Sequence, residues 1–227
     1  MNFTYRLRFS KTGRARFISH LDTLSLLVRA VRRTGCELAF TGGMRPKPVL
    51  SLAMPLGVGI EGEDEICDLS LRQRVPLTEF AQDLQRQLPE GFRLKELAPS
   101  LERSKSAARV ISVSYRIGVE DTDEWSAAAG RFNSEPSLMV LRQRPKGDKE
   151  VDVKRYVEKV TAAEGALAFD MKVTTAGTAR PEEVVELLER FAGRQMARPR
   201  IVRTAIELGE EKKPSRPLPG RGRPRRR

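Results

Sequence analysis

The sequence predicts an α+β protein of two tandem ferredoxin-like units, each with the order βαββαβ, followed by a disordered basic C-terminal tail. Three observations lead there. Short runs with alternating apolar residues are interleaved with segments whose apolar residues recur at helical spacing. The order strand, helix, strand, strand, helix, strand occurs twice, on either side of a polar stretch at 98–108. From residue 209 onward apolar residues almost vanish while Pro, Gly, Lys and Arg accumulate. The predicted layout is 1–97 for the first unit, 98–108 for a linker, 109–208 for the second unit and 209–227 for the tail. The repeat is one of element order, not of sequence.

In the first unit, Phe3, Tyr5, Leu7 and Phe9 alternate with Thr4, Arg6 and Arg8, the pattern of a half-buried strand. Ser19 and Asp22 frame a capping-box-like helix start. Leu21, Leu24, Leu27, Val28 and Val31 give a helix over 21–33 its apolar stripe, and Gly35 suits the left-handed C′ position. Extended pieces are predicted at 38–41 and 49–54, separated by a Gly/Pro loop. A turn at 57–65 leads to a strand at 66–71, a helix at 78–88 and a closing strand at 92–97.

In the second unit the prediction is a strand at 110–119, a helix at 123–132 and strands at 138–143 and 166–173, with 150–156 a short strand or an approach to one. A helix beginning at Pro181 follows, since proline suits a first helical position and Glu182 and Glu183 suit a first turn. A strand at 201–208 closes the unit.

The chain has 227 residues and a net charge of +12. Residues 209–227 hold eight Lys/Arg against two Glu, a net +6, and the rest of the chain also carries +6. A polyanion, most simply RNA, is the expected partner. No apolar run reaches the roughly 18 residues that a membrane span requires. The alternating N-terminus has no signal-peptide core, so the expected location is cytoplasmic. Cys36 and Cys67 lack metal-site spacing and the chain has one histidine. No metal or other cofactor is expected, and the cysteines read as buried thiols.

Candidate binding residues fall in four groups. His20, the one histidine, begins the first helix next to Arg14 and Arg16. Imidazole titrates near neutrality and suits a general base toward a ribose hydroxyl, but with no second histidine for acid–base pairing a backbone or phosphate contact is the favoured reading. Arg45 and Lys47 lie in the loop Gly42-Gly43-Met44-Arg45-Pro46-Lys47-Pro48, where glycine amides and cations suit phosphate. Arg6, Arg8, Arg93 and Lys95 are expected to share an open sheet face. Arg221 and Arg223 lie in a tail motif that resembles an AT-hook core.

The stretches RFISHLDTLSLLVRAVRRTG and LAFTGGMRPKPVLSLAMPLGVG, with weaker motifs KEVDVKRYVEKV and GTARPEEVVELL, resemble the radical SAM-linked protein family, domain of unknown function 2344. The resemblance covers nearly 200 residues. In the loop, Met44 stands where that family has an aromatic residue, Arg45 an amide and Lys47 a histidine. The resemblance implies a bacterial protein that works with a radical SAM protein and is often encoded near ribonuclease E/G. This chain lacks the cysteine triad of a radical SAM enzyme. The expectation is an RNA-binding accessory protein of a radical SAM or RNA-processing enzyme, more simply without catalysis of its own. Two alternatives stand beside it: a metal-independent endoribonuclease using His20, and a pure protein-interaction partner of a radical SAM protein.

Overall fold

A computed structural model of the chain describes residues 2–100, 109–120, 122–145 and 147–209. Ten strands and four helices are present among them. In chain order they are β1 (Phe3–Lys11), α1 (His20–Arg33), β2 (Leu50–Leu52), β3 (Glu61–Leu71), α2 (Leu77–Gln87), β4 (Phe92–Pro99), β5 (Val110–Gly118), α3 (Thr122–Ser134), β6 (Met139–Arg142), β7 (Lys149–Asp152), β8 (Val160–Ala163), β9 (Ala166–Lys172), α4 (Pro181–Ala192) and β10 (Arg200–Leu208).

Two separate tandem ferredoxin-like units are not what these elements build. One eight-stranded sheet runs β4-β1-β3-β10-β5-β9-β8, with β2 paired to β3. The pairings within each half are antiparallel, whereas β3 and β10 run parallel, through Val202 opposite Glu61 and Arg203 opposite Gly62. An unpaired strand edge invites pairing, and here each half satisfies the other's edge. The tandem-repeat reading fails because nothing local in the sequence announces a pairing between residues about 140 apart.

Two further strand expectations change. Residues 138–143, and 150–156 if a strand, were expected in the sheet of a second unit. Instead β6 and β7 form a separate two-stranded hairpin, and β8 takes the sheet edge beside β9. Residues 38–41 make only isolated bridges, Leu38 with Leu71 and Phe40 with Pro48. β4 extends to Pro99, into the stretch predicted as linker. The remainder of that stretch, 101–108, and the tail from 210 onward lie outside the described residues.

Each half has its own apolar core. In the first, α1 and α2 lay Leu27, Ala30, Val31, Phe80 and Leu84 over Tyr5, Leu7, Phe9, Cys67 and Leu69. In the second, α3 and α4 cover Val113, Ile117, Leu167 and Met171 with Trp125, Phe132, Val184 and Leu188. The helices form where the stripes place them. Ser19 Oγ accepts from the Asp22 amide at 3.2 Å and caps α1. Gly193, at a φ of +71°, ends α4 in the left-handed region that costs other residues strain.

Between the cores lies a charged seam. Arg203 is 1 % exposed and Glu65 2 %. Arg203 Nε donates to Glu65 Oε1 at 2.8 Å, while Nη1 and Nη2 donate to the carbonyls of Pro55 (3.0 Å) and Met54 (3.1 Å). Burial alone would push the guanidinium toward losing its proton, but Glu65 and Tyr115 hold it firmly charged. Lys11, also buried, donates from Nζ to the Ile18 carbonyl at 2.5 Å. Its pKa is lowered, first by burial and then by Arg203, against the pull of Glu65.

Glu61, four residues from Glu65 on the same strand, receives Arg200 at 2.9 Å and Arg16 at 3.1 Å. Burial opposes the charged carboxylate, yet hydrogen bonds from those two arginines keep its pKa below the ordinary value. Gly62 makes the geometry possible. A Cβ there would stand 2.5 Å from Glu65 Oε1, so a larger residue would displace the carboxylate that holds Arg203.

Candidate functional site

A cleft of about 900 Å³ lies between the 54–60 loop, the β6–β7 hairpin and the start of α4. Some of its polar groups are committed to one another. Arg142 Nε and Nη2 donate to the two oxygens of Glu183 at 2.6 and 2.8 Å, and Nη2 also reaches the Thr178 carbonyl at 3.0 Å. The same Glu183 accepts from the Arg180 amide at 2.8 Å and so caps α4. These contacts fasten the hairpin to the helix start, which assigns the charges in this wall a structural task.

The predicted binding residues divide sharply when placed. Arg6 lies opposite Asp68 and its Nε donates to it at 2.8 Å. Arg8 pairs with Asp64 and lies 3.8 Å from Glu96. The open face of β1 is therefore a mixed-charge surface and not the one-sign platform expected. Arg93 and Lys95 are exposed on β4, but the register skips from Leu94 to Glu96, so Lys95 sits in a bulge without a residue opposite. Arg16 is held by Glu61 and stacks over Phe17, 4.7 Å from the ring centre. Arg14 is exposed. His20 is the first residue of α1 and half-buried, and its Nδ1 is buried with no hydrogen-bond partner among the described residues. Arg221 and Arg223 lie outside the described residues.

Arg45 and Lys47 stand elsewhere, at the Leu71 end of β3. Their loop is closed at its base: the Thr41 amide donates to the Lys47 carbonyl at 2.9 Å, and the Lys47 amide to Thr41 Oγ1 at 3.0 Å. The hairpin is tied to β3 by the Ala39 amide on the Ser70 carbonyl and the Arg72 amide on the Glu37 carbonyl. Those ties bring together the end of α1, the loop and the turn after β3. Residues 29–33, 37–47 and 72–74 contain seven Lys/Arg (Arg29, Arg32, Arg33, Arg45, Lys47, Arg72 and Arg74) and one acid, Glu37. All seven are exposed, and among the described residues none has a carboxylate within 4.0 Å.

Apolar groups stand among these cations. Phe40 is 37 % exposed with the Arg32 guanidinium 5.8 Å from its ring centre, and Met44 is fully exposed at the loop tip. Arg74 lies 5.2 Å from the ring of Phe3. Sequence reasoning found the loop but not Phe40, Arg72 or Arg74. The Arg-Gln-Arg run directly after a strand was the available signal for the last two.

Chemically, this corner offers delocalised cations for phosphate and planar faces for stacking. Among the described residues, no three or more His, Cys, Asp or Glu are grouped to hold a metal ion. Nor is any helix long and apolar enough to cross a membrane.

Fold and site together define an α+β protein with one mixed sheet and an exposed cationic corner. The model of the family described as "Uncharacterized protein conserved in bacteria (DUF2344)" matches residues 4–182, and the chain belongs to that family. No curated protein matches it. A solved structure of an unknown protein from Galdieria sulphuraria is 14 % identical, covering 92 % of this chain and 100 % of its own, at a TM-score of 0.29. That likeness is too slight to carry an argument.

Proposed function

We propose that this protein is an RNA-binding accessory protein that acts in the cytoplasm beside a radical SAM enzyme or an RNA-processing enzyme. The observation that carries the RNA reading is the corner of seven exposed cations without carboxylate partners, set around Phe40 and Met44. Elsewhere arginines in or against the sheet are tied to acids, as Arg6, Arg8, Arg16, Arg200 and Arg203 are. A cation left unpaired retains its full attraction for phosphate, and each phosphate neutralised releases counterions. The radical SAM partner is supported by the motif resemblance in residues 16–59 together with membership of the family. The cytoplasmic location is supported by two cysteines that are both free, Cys67 being fully buried with its thiol pushed up first by burial and then by Asp68.

The test is a salt titration of affinity for a labelled structured RNA. The expected plot of log affinity against log salt falls with a slope of roughly 0.7 for each single-strand phosphate contact. Binding that is absent at low salt would refute the reading and leave the protein-interaction role.

The observation behind the ribonuclease reading is an imidazole nitrogen not committed to the fold: among the described residues the buried Nδ1 of His20 has no hydrogen-bond partner. Cleavage of the same RNA in EDTA decides it. The accessory reading expects intact RNA from wild type, and 2′,3′-cyclic phosphate ends that disappear in His20→Ala would replace it with the enzyme.

A further inference from the structure

We infer that the cationic corner takes single-stranded RNA and stacks a base against Phe40. The inference rests on the RNA-binding reading above and narrows its ligand. Phe40 sits at the base of the closed loop, bridged to Pro48, so its backbone is held by the hairpin. The residue is more than a third exposed, so part of its side chain is open to a ligand. The Arg32 guanidinium stands over it at 5.8 Å and supports the ring on one side. Arg45 and Lys47 are exposed in the loop that follows Phe40, Arg33 is exposed next to Arg32, and Met44 adds an adaptable apolar surface at the tip.

Phosphate contacts alone would suit duplex and single strand alike. The aromatic ring breaks that tie. Bases in an A-form duplex are stacked on one another, and the deep major groove keeps side chains from them, whereas an unpaired base presents a free face. A ring held among cations is the arrangement that grips single strands with little regard to sequence, because every base has a π face. The charges would track the backbone while Phe40 holds one base.

The experiment compares a fluorescein-labelled 12-nucleotide RNA of mixed sequence with a blunt 12-base-pair duplex of the same sequence, using the full chain and the variants Phe40→Ala and Phe40→Leu. Wild type is expected to prefer the single strand. Both variants are expected to lose about tenfold in single-strand affinity and to leave duplex affinity unchanged, since stacking is worth that much per base. Phe40→Leu keeps the apolar volume, so a loss shared by both variants reports the ring and not the fold. Equal affinity of wild type for the two RNAs, or variants that bind the single strand as wild type does, would overturn the stacking inference and leave RNA binding in place. Binding to neither RNA would overturn both.

Discussion

The two ends of β3 use arginine in opposite ways. At its Glu61 end, Arg203 and Arg200 meet carboxylates, and Arg203 is removed from water altogether. At its Leu71 end, roughly 33 Å away along an 11-residue strand, Arg72 and its neighbours stand in solvent with no carboxylate within 4.0 Å among the described residues. A buried charge is tolerable only with its partner in place, so the first end is architecture. An exposed unpaired charge adds almost nothing to folding, so the second end is free to serve a ligand. Net charge alone conceals this division, since both kinds of arginine count the same toward +12.

The comparison breaks most visibly at the seam. Glu65→Gln leaves Arg203 buried without its counter-charge and should cost about 3–5 kcal/mol of stability, measured by denaturant unfolding. A loss below about 1 kcal/mol would mean that water reaches Arg203 and that the seam is not dry. Gly62→Ala attacks the same contact from the backbone side. Pushing Glu65 aside should cost about 1–3 kcal/mol, with no change in salt dependence of RNA affinity.

At the other end the expected result is reversed. Changing Arg45, Lys47, Arg72 and Arg74 together to Gln should leave the melting temperature nearly constant. The salt slope of RNA binding should shrink by roughly 0.7 for each contact removed. A melting temperature that drops sharply would show these cations to be structural.

Acid sharpens the contrast further. Glu61 has its carboxyl depressed below the ordinary 4.5, so its contribution is full above that value and is lost as pH falls through the depressed one. Wild type should therefore lose stability below pH 4.5 more steeply than Glu61→Gln. Parallel curves would remove Glu61 from the stability of the seam. The smallest effect is expected from Arg8→Gln, about 0–1 kcal/mol, because this pair is a third open to water.

Local elements were legible where local forces decide them. α1 was expected at 21–33 and occupies His20–Arg33, because its stripe and the Ser19 cap both lie within the segment. β8 was missed because four residues, Val-Thr-Ala-Ala, carry too short an alternation. The start of β3 was taken for a turn because Glu61, Gly62, Glu63, Asp64 and Glu65 look too polar for a strand in a sheet interior. They belong there because Arg200, Arg203, Arg16 and Lys11 arrive from far along the chain.

The candidate corner shows the same limit. The Pro-Lys-Pro loop flagged Arg45 and Lys47, while Arg72 and Arg74 join them only through the pairing of Glu37 with Arg72 in the fold. Arg6 and Arg8 misled because alternation tells which way a side chain points but not which acid waits across the strand.

The position of β10 also bears on how the protein is made. It is the last strand to leave the ribosome among those described, yet it fills the middle of the sheet, between β3 and β5. Until residues 200–208 emerge, the nascent chain carries two half-sheets with open edges facing their missing neighbour. Such edges are where newly made chains catch one another. Synthesis that pauses shortly before Arg200 would prolong that exposure, and a message truncated there would yield two cores with no strand to join them.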